Sequence, residues 1–287
     1  MIAAVASLVV AMLSFQFGAA VAKQLIPMVG APGTTALRLG ISALLLIVMQ
    51  RPWRTVPSRA NVPIILAYGL SLGTMNFVFY QALRTIPLGI AVGLEFTGPL
   101  AVALVGSHRP LHFVWLALAV LGIALLLPLT PGSAPLDPRG VAAALAAGAC
   151  WAVYIVCGKK AGHAHGAAAS TWGMLVAACL VVPVGVASAG SALWSMAVLP
   201  MGAAVAVLSS ALPYTLEMTA LRRLSTRTYG TLTSMEPALG ALTGLLLLHE
   251  QLTFVHWLGI GAVMVASAGT LGNESGVADV GERATSA

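Results

Sequence analysis

Pro87-Leu88-Gly89-Ile90-Ala91-Val92-Gly93-Leu94-Glu95-Phe96-Thr97-Gly98-Pro99-Leu100, apolar as far as Gly106, is the stretch that decides the fold. Residues 87–106 are long enough, at about 1.5 Å per helical residue, to cross roughly 30 Å of hydrocarbon. Glu95 stands about nine residues in, where a charge costs roughly 2.5–3.5 kcal/mol. A charge held at that depth needs a reason.

Similar segments recur along the whole chain. Ten are read, approximately Ala3 to Ala22, Pro32 to Gln50, Pro63 to Ala82, Pro87 to Gly106, His112 to Leu129, Gly140 to Gly158, Ala168 to Ser188, Ala197 to Thr219, Thr228 to Leu248 and Thr253 to Leu271. The composition agrees: 59% of residues are hydrophobic and only 8% charged, against about 25% charged in soluble domains. The mean hydropathy is +0.95. The expected fold class is therefore an all-α polytopic membrane protein. The first segment is read as a helix despite the cleavage-site look of Ala20-Val21-Ala22, because it lacks a basic n-region. Cys150, Cys157 and Cys179 fall inside apolar segments and read as small hydrophobes.

The net charge of +6 would suggest nucleic acid for a soluble chain, but here the basic residues stand in loops beside helix ends. With the N-terminus inside, the cytoplasmic loops carry Arg51, Arg54, Arg59, Arg109, Lys159, Lys160, Arg222, Arg223 and Arg227, and the outer loops Lys23, Arg84 and Arg139. Nine against three places both termini in the cytoplasm. A shift of 138 residues lays Ala82-Leu83-Arg84 on Ala220-Leu221-Arg222 and Pro99 on Pro237. Near the start of each half an aromatic also precedes a lysine by eight residues, Phe15 before Lys23 and Trp151 before Lys159. Each half holds an odd number of helices, so the second enters the membrane upside down. The expected organisation is two inverted five-helix repeats, 1–130 and 131–271, then a disordered cytoplasmic tail, 272–287.

Several polar groups fall inside the segments. Glu95 and Glu236 stand at mid-depth beside the helix-breaking prolines Pro99 and Pro237, which cannot donate to the carbonyls of Glu95 and Thr233. Carboxylates and bare carbonyls at one level suit an ammonium or a proton; the plainer alternative is that each carboxylate locks two helices together. Asn76 and Tyr80 share a face with Gly69 and Gly73, while Ser209 and Ser210 precede Pro213 and Tyr214. Tyr229, Thr233, Glu236, Gly240 and Thr243 form a further stripe. These stripes suit a polar cavity, although ordinary helix packing uses the same residue types. Gln16 stands open between the two. Arg38 can snorkel to the interface or meet a substrate carboxylate, and Glu217 with Arg222 suits an interfacial ion pair. Trp151 is deep enough to be a cavity wall. The six histidines sit in loops or near helix ends without HExxH-type spacing, so no metal and no cofactor is expected.

The chain also resembles the threonine/homoserine exporters of the drug/metabolite transporter (EamA-type) superfamily. The resemblance is carried by Gly30-Ala31-Pro32-Gly33, Ala36-Leu37-Arg38-Leu39, Met75-Asn76, the Glu95-Phe96-Thr97-Gly98-Pro99 run, Gly148-Ala149-Cys150-Trp151-Ala152, Ala211-Leu212-Pro213-Tyr214, Leu216-Glu217-Met218, Thr226-Arg227-Thr228 and Met235-Glu236-Pro237-Ala238. It implies ten helices in the bacterial inner membrane, both termini inside, and proton-coupled efflux of threonine, homoserine and related small amino acids. A broader amino-acid or drug exporter of the same fold is the alternative. His249 departs from the pattern, where glycine is common, and so does Gly93, where a larger residue is usual.

A zwitterionic hydroxy amino acid needs an anion, a cation and a hydrogen-bonding group. The expected substrate and proton site comprises Glu95 for the ammonium and proton, Asn76 and Tyr80 for the hydroxyl, Arg38 for the carboxylate, and Tyr214 and Trp151 as wall, with Glu236, Gln16 and Ser209 as further members. A membrane enzyme would need a nucleophile or metal near an interface, and the sequence presents neither. A non-transporting subunit would have no use for carboxylates at mid-depth in both halves. The expected partners are the amino acid, protons and the lipid bilayer, with no nucleic acid, and a monomer is compatible with all of these features.

Overall fold

The computed structural model describes residues 2–54, 57–105, 110–126, 136–165, 168–213, 216, 229 and 232–285, and among these there is no β-strand. Helix α1 (Ile2–Gln50) is two helices joined at Gly30, whose backbone stands at φ 71°, ψ 168°. That conformation is open to glycine and strained for other residues. Thr34 and Thr35 return their hydroxyls to the carbonyls of Gly30 (2.9 Å) and Ala31 (2.8 Å), in the first turn of the second arm. A loop after Ala22 is the expectation from sequence; instead the first arm stays helical up to this turn, carrying Lys23 on a helix.

The chain continues through α2 (Val62–Leu83), α3 (Leu88–Glu95), α4 (Thr97–Val105), α5 (Pro110–Leu126), α6 (Pro138–His165) and α7 (Ala168–Ala189). Then come α8 (Val198–Ala206), a π-helical turn (Val207–Ala211), α9 (Glu236–Leu248) and α10 (Phe254–Thr285). Four of the helical stretches are long and apolar enough to cross a membrane, and shorter apolar helices accompany them. Helix α10 carries the backbone on as helix through residues 272–285, into the stretch whose composition reads as a disordered tail.

Elements of the N-terminal half pack chiefly on elements of the C-terminal half: α2 on α6 and α7, α1 on α7 and α8, α3 on α9, α5 on α10. Small residues permit it. A Cβ on Gly89 would strike Ala241, and one on Gly73 would press on Ala177. Such close approach holds helices together where lipid offers no hydrophobic drive. Outward faces are apolar, with Leu44, Val48, Val120, Val153, Leu246 and Leu258 all about half exposed or more, as a lipid-facing surface requires.

One end of the bundle is closed by a charge cluster that sequence reading did not pair. Lys23 Nζ donates to Glu250 Oε1 at 2.6 Å and to the Ile86 carbonyl at 2.7 Å, while Glu250 Oε2 accepts from the Leu88 backbone N–H at 2.7 Å. Glu250 thereby answers both a cation and the positive end of α3. It ties three segments distant in sequence. The pair is shielded, with side-chain exposures of 21% and 11%. Its placement depends on His249, the left-handed cap of α9 at φ 54°, ψ 31°, after which the Glu250 N–H reaches back to the Gly244 carbonyl. This explains why glycine suits position 249.

His249→Gly is expected to raise stability by about 1 kcal/mol, because it relieves a left-handed non-glycine residue. Glu250→Gln is expected to cost about 3 kcal/mol, the low end for breaking a shielded ion pair. Thermal unfolding in detergent micelles measures both; an unstable His249→Gly protein would contradict the strain account.

Candidate functional site

Two helix interruptions frame the site. Glu95 is the last residue of α3, Phe96 is a turn, and Thr97 opens α4, so Pro99 falls in the first turn of the new helix where its missing N–H costs nothing. Likewise Ser234 and Met235 form a turn, Glu236 opens α9 and Pro237 follows it. Each carboxylate thus sits where a helix starts or stops rather than in mid-helix. The Glu95 carbonyl packs against α6: a Cβ on Gly148 would lie 2.7 Å from it, and a Cβ on Gly98 would run into the Gly148 carbonyl. That acceptor is covered by α6, a correction to the view of it as bare backbone facing a ligand.

The interruptions open onto a cavity of about 390 Å³, within the range of small-ligand pockets. Of the residues expected at the site, Gln16, Arg38, Asn76, Glu95, Pro99, Trp151, Ser209 and Glu236 line it. Tyr80 does not. It is fully buried and accepts a hydrogen bond from Arg38 Nη1 at 3.1 Å, so it holds the arginine rather than bordering the cavity. Pro237 is buried behind Glu236. Tyr214, and the Glu217–Arg222 pair, lie outside the described residues.

Arg38 is 5% exposed, so it does not snorkel. Its guanidinium lies 5.0 Å from the Phe15 ring centre and 5.6 Å from that of Tyr80. Two cation–π contacts of about 1–2 kcal/mol each and one charged hydrogen bond of about 1.5–3 kcal/mol set against a desolvation cost of several kcal/mol leave the cation close to balance. No carboxylate among the described residues comes within ion-pair distance of it, and its Nε–H has no partner. Glu95, 8% exposed, is near enough to feel both Arg38 and Glu236 electrostatically. Asn76 spends an N–H on the Leu72 carbonyl (2.9 Å).

Gln16 is 1% exposed with its Oε1 unpartnered. A Cβ on Gly240 would meet that oxygen and Val92, which places Gln16 between the turns carrying Glu236 and Glu95. Ser209 Oγ is the third unpartnered polar atom of the lining. The aromatic wall comprises Phe15, Phe79, Phe96 and Trp151, the last two meeting edge to face at 5.6 Å. Phe15 was visible in the sequence only through its spacing to Lys23, the same as that of Trp151 to Lys159; both aromatics prove to line the cavity. Among the described residues no cluster of histidine, cysteine and carboxylate groups of metal-binding type comes together.

Residues 138–272 match the EamA-like transporter family. The threonine/homoserine exporter RhtA of Escherichia coli K12 is 55% identical over 263 residues, spanning 92% of this chain and 89% of that protein. The chain belongs to the EamA-like transporter family. The RhtA exporter of Salmonella typhimurium LT2 matches to the same extent. A solved crystal structure at 19% identity superposes with a TM-score of 0.62 over 92% of this chain and 95% of that one, which shows a shared fold. In this EamA-like chain the joint between Gly98 and Gly148 positions Glu95. Gly98→Ala is therefore expected to cost at least about 1–3 kcal/mol through overpacking, read as a lower unfolding temperature of the purified protein; an unchanged temperature would deny the close approach of α4 and α6.

Proposed function

We propose that the protein exports threonine, homoserine and related small amino acids across the bacterial inner membrane in exchange for protons. The observation that carries this is a buried cation, Arg38, and a buried carboxylate, Glu95, bordering one cavity with an unused donor on the cation. A zwitterion presents the complementary pair of charges. The names of the relatives, threonine/homoserine exporters, support the substrate class.

In this reading the amino acid's carboxylate takes the Arg38 Nε–H and its ammonium takes Glu95, with Gln16 Oε1 and Glu236 as neighbouring acceptors. Trp151 and Phe15 enclose its side chain. One carboxylate holds either a proton or an ammonium. Substrate arriving from the cytoplasm displaces the proton from Glu95, and a proton arriving from outside displaces the substrate, so inward proton flow drives efflux. Tyr80 serves by fixing Arg38. The proposal includes ten membrane spans with both termini cytoplasmic, built as two inverted repeats. The packing pattern supports this: α2 of the first half packs on α6 of the second, and α8, the repeat counterpart of α2, packs on α1.

Glu95→Gln protein is expected to insert normally yet to lose pH-gradient-driven threonine export in proteoliposomes. Gradient-driven export at the wild-type rate would remove Glu95 from the coupling. Counterflow of labelled threonine against other amino acids and hydrophobic cations separates this reading from a broad-range exporter.

A further inference from the structure

Ser209 is 4% exposed, borders the cavity, and has no hydrogen-bond partner for its Oγ. A helical hydroxyl ordinarily returns to a carbonyl of the preceding turn, as Ser7, Thr34, Thr35 and Thr97 do in this chain. Ser209 does not, and it sits in the π-helical turn Val207–Ala211. A π turn opens the helix by one residue and is a frequent mark of a functional position. The residues on either side are pinned from α1: Ser14 Oγ donates to the Leu208 carbonyl at 2.8 Å, and Ser42 and Ser210 share a hydrogen bond of 2.7 Å. Gly18 leaves the Oγ its space, since a Cβ there would strike it. The turn is thus held by two serines, and the hydroxyl of a third, at the border of the cavity, is left unpartnered and lodged against Gly18.

Resting on the transport reading above, we propose that Ser209 is the group that selects for the substrate's side-chain hydroxyl. Arg38 and Glu95 answer the two charged groups common to every amino acid. Ser209 is neutral, donates and accepts, and matches a hydroxyl that does the same. A site whose buried polar group is satisfied only by the ligand hydroxyl rejects the analogue lacking it. Tyr80, expected to serve the hydroxyl, is engaged with Arg38 and does not line the cavity, and Asn76 already gives one N–H to the Leu72 carbonyl.

Replacing the hydroxyl by hydrogen converts both threonine and homoserine into 2-aminobutyrate, which makes that compound the probe. Its inhibition of labelled-threonine counterflow is measured beside that of threonine and homoserine in proteoliposomes of wild-type, Ser209→Ala and Gly18→Ala protein. The wild type is expected to prefer the hydroxy amino acids by about tenfold or more, and Ser209→Ala to bring the ratio to within about threefold, with 2-aminobutyrate affinity unchanged. Gly18→Ala retains the hydroxyl but pushes it aside, and is expected to lower the ratio in the same way. An unchanged ratio in Ser209→Ala protein, or equal weakening of all three compounds, overturns the assignment. A wild type that carries none of them overturns the transport reading instead.

Discussion

A guanidinium that is almost wholly buried must be answered by the protein around it, and the position of Arg38 imposes this on everything near the cavity. Fixed dipoles and ring faces do the answering. Phe15 comes from the first arm of α1, Tyr80 from α2, and Arg38 itself from the second arm of α1. The sharp turn at Gly30 makes that meeting geometrically possible, because it folds the two arms of α1 back on one another within a few residues. Without it, Phe15 and Arg38 would stand on opposite sides of a loop with no reason to face each other.

The carboxylates obey the same economy of polar groups. Hydrocarbon tolerates an interrupted hydrogen-bond ladder only where protein or a cavity covers it. The breaks at Phe96 and at Ser234–Met235 lie beside the cavity, with Gly148 closing on the Glu95 carbonyl and Thr97 Oγ1 donating to that of Leu94 at 2.7 Å. Placing a glutamate at each break puts the charge where the helix has already been interrupted. Each break lies just before a proline, Pro99 in one case and Pro237 in the other.

The Lys23–Glu250 cluster bears on the same bundle from its end. It joins the first arm of α1, the start of α3 and the α9–α10 connection. Movement of α3 relative to α9, the two elements that carry Glu95 and Glu236, therefore works against a shielded ion pair as well as against the Gly89–Ala241 packing.

Sequence alone was enough for the helical membrane class, because the spacing of apolar runs against hydrocarbon thickness is a one-dimensional property. It was also enough to single out Glu95, Glu236, Arg38, Asn76, Gln16 and Ser209, because each violates the local rule that spans be apolar, and a violation is visible without knowing its neighbours. Pairings are a different matter. That Tyr80 turns to Arg38 rather than to the cavity, that Lys23 reaches Glu250 across 227 positions, and that the Ser209 hydroxyl is left without a partner all depend on which helix faces come together. Only the tertiary structure decides those, since a side chain's partner is set by packing between segments whose order along the chain says nothing about their adjacency in space.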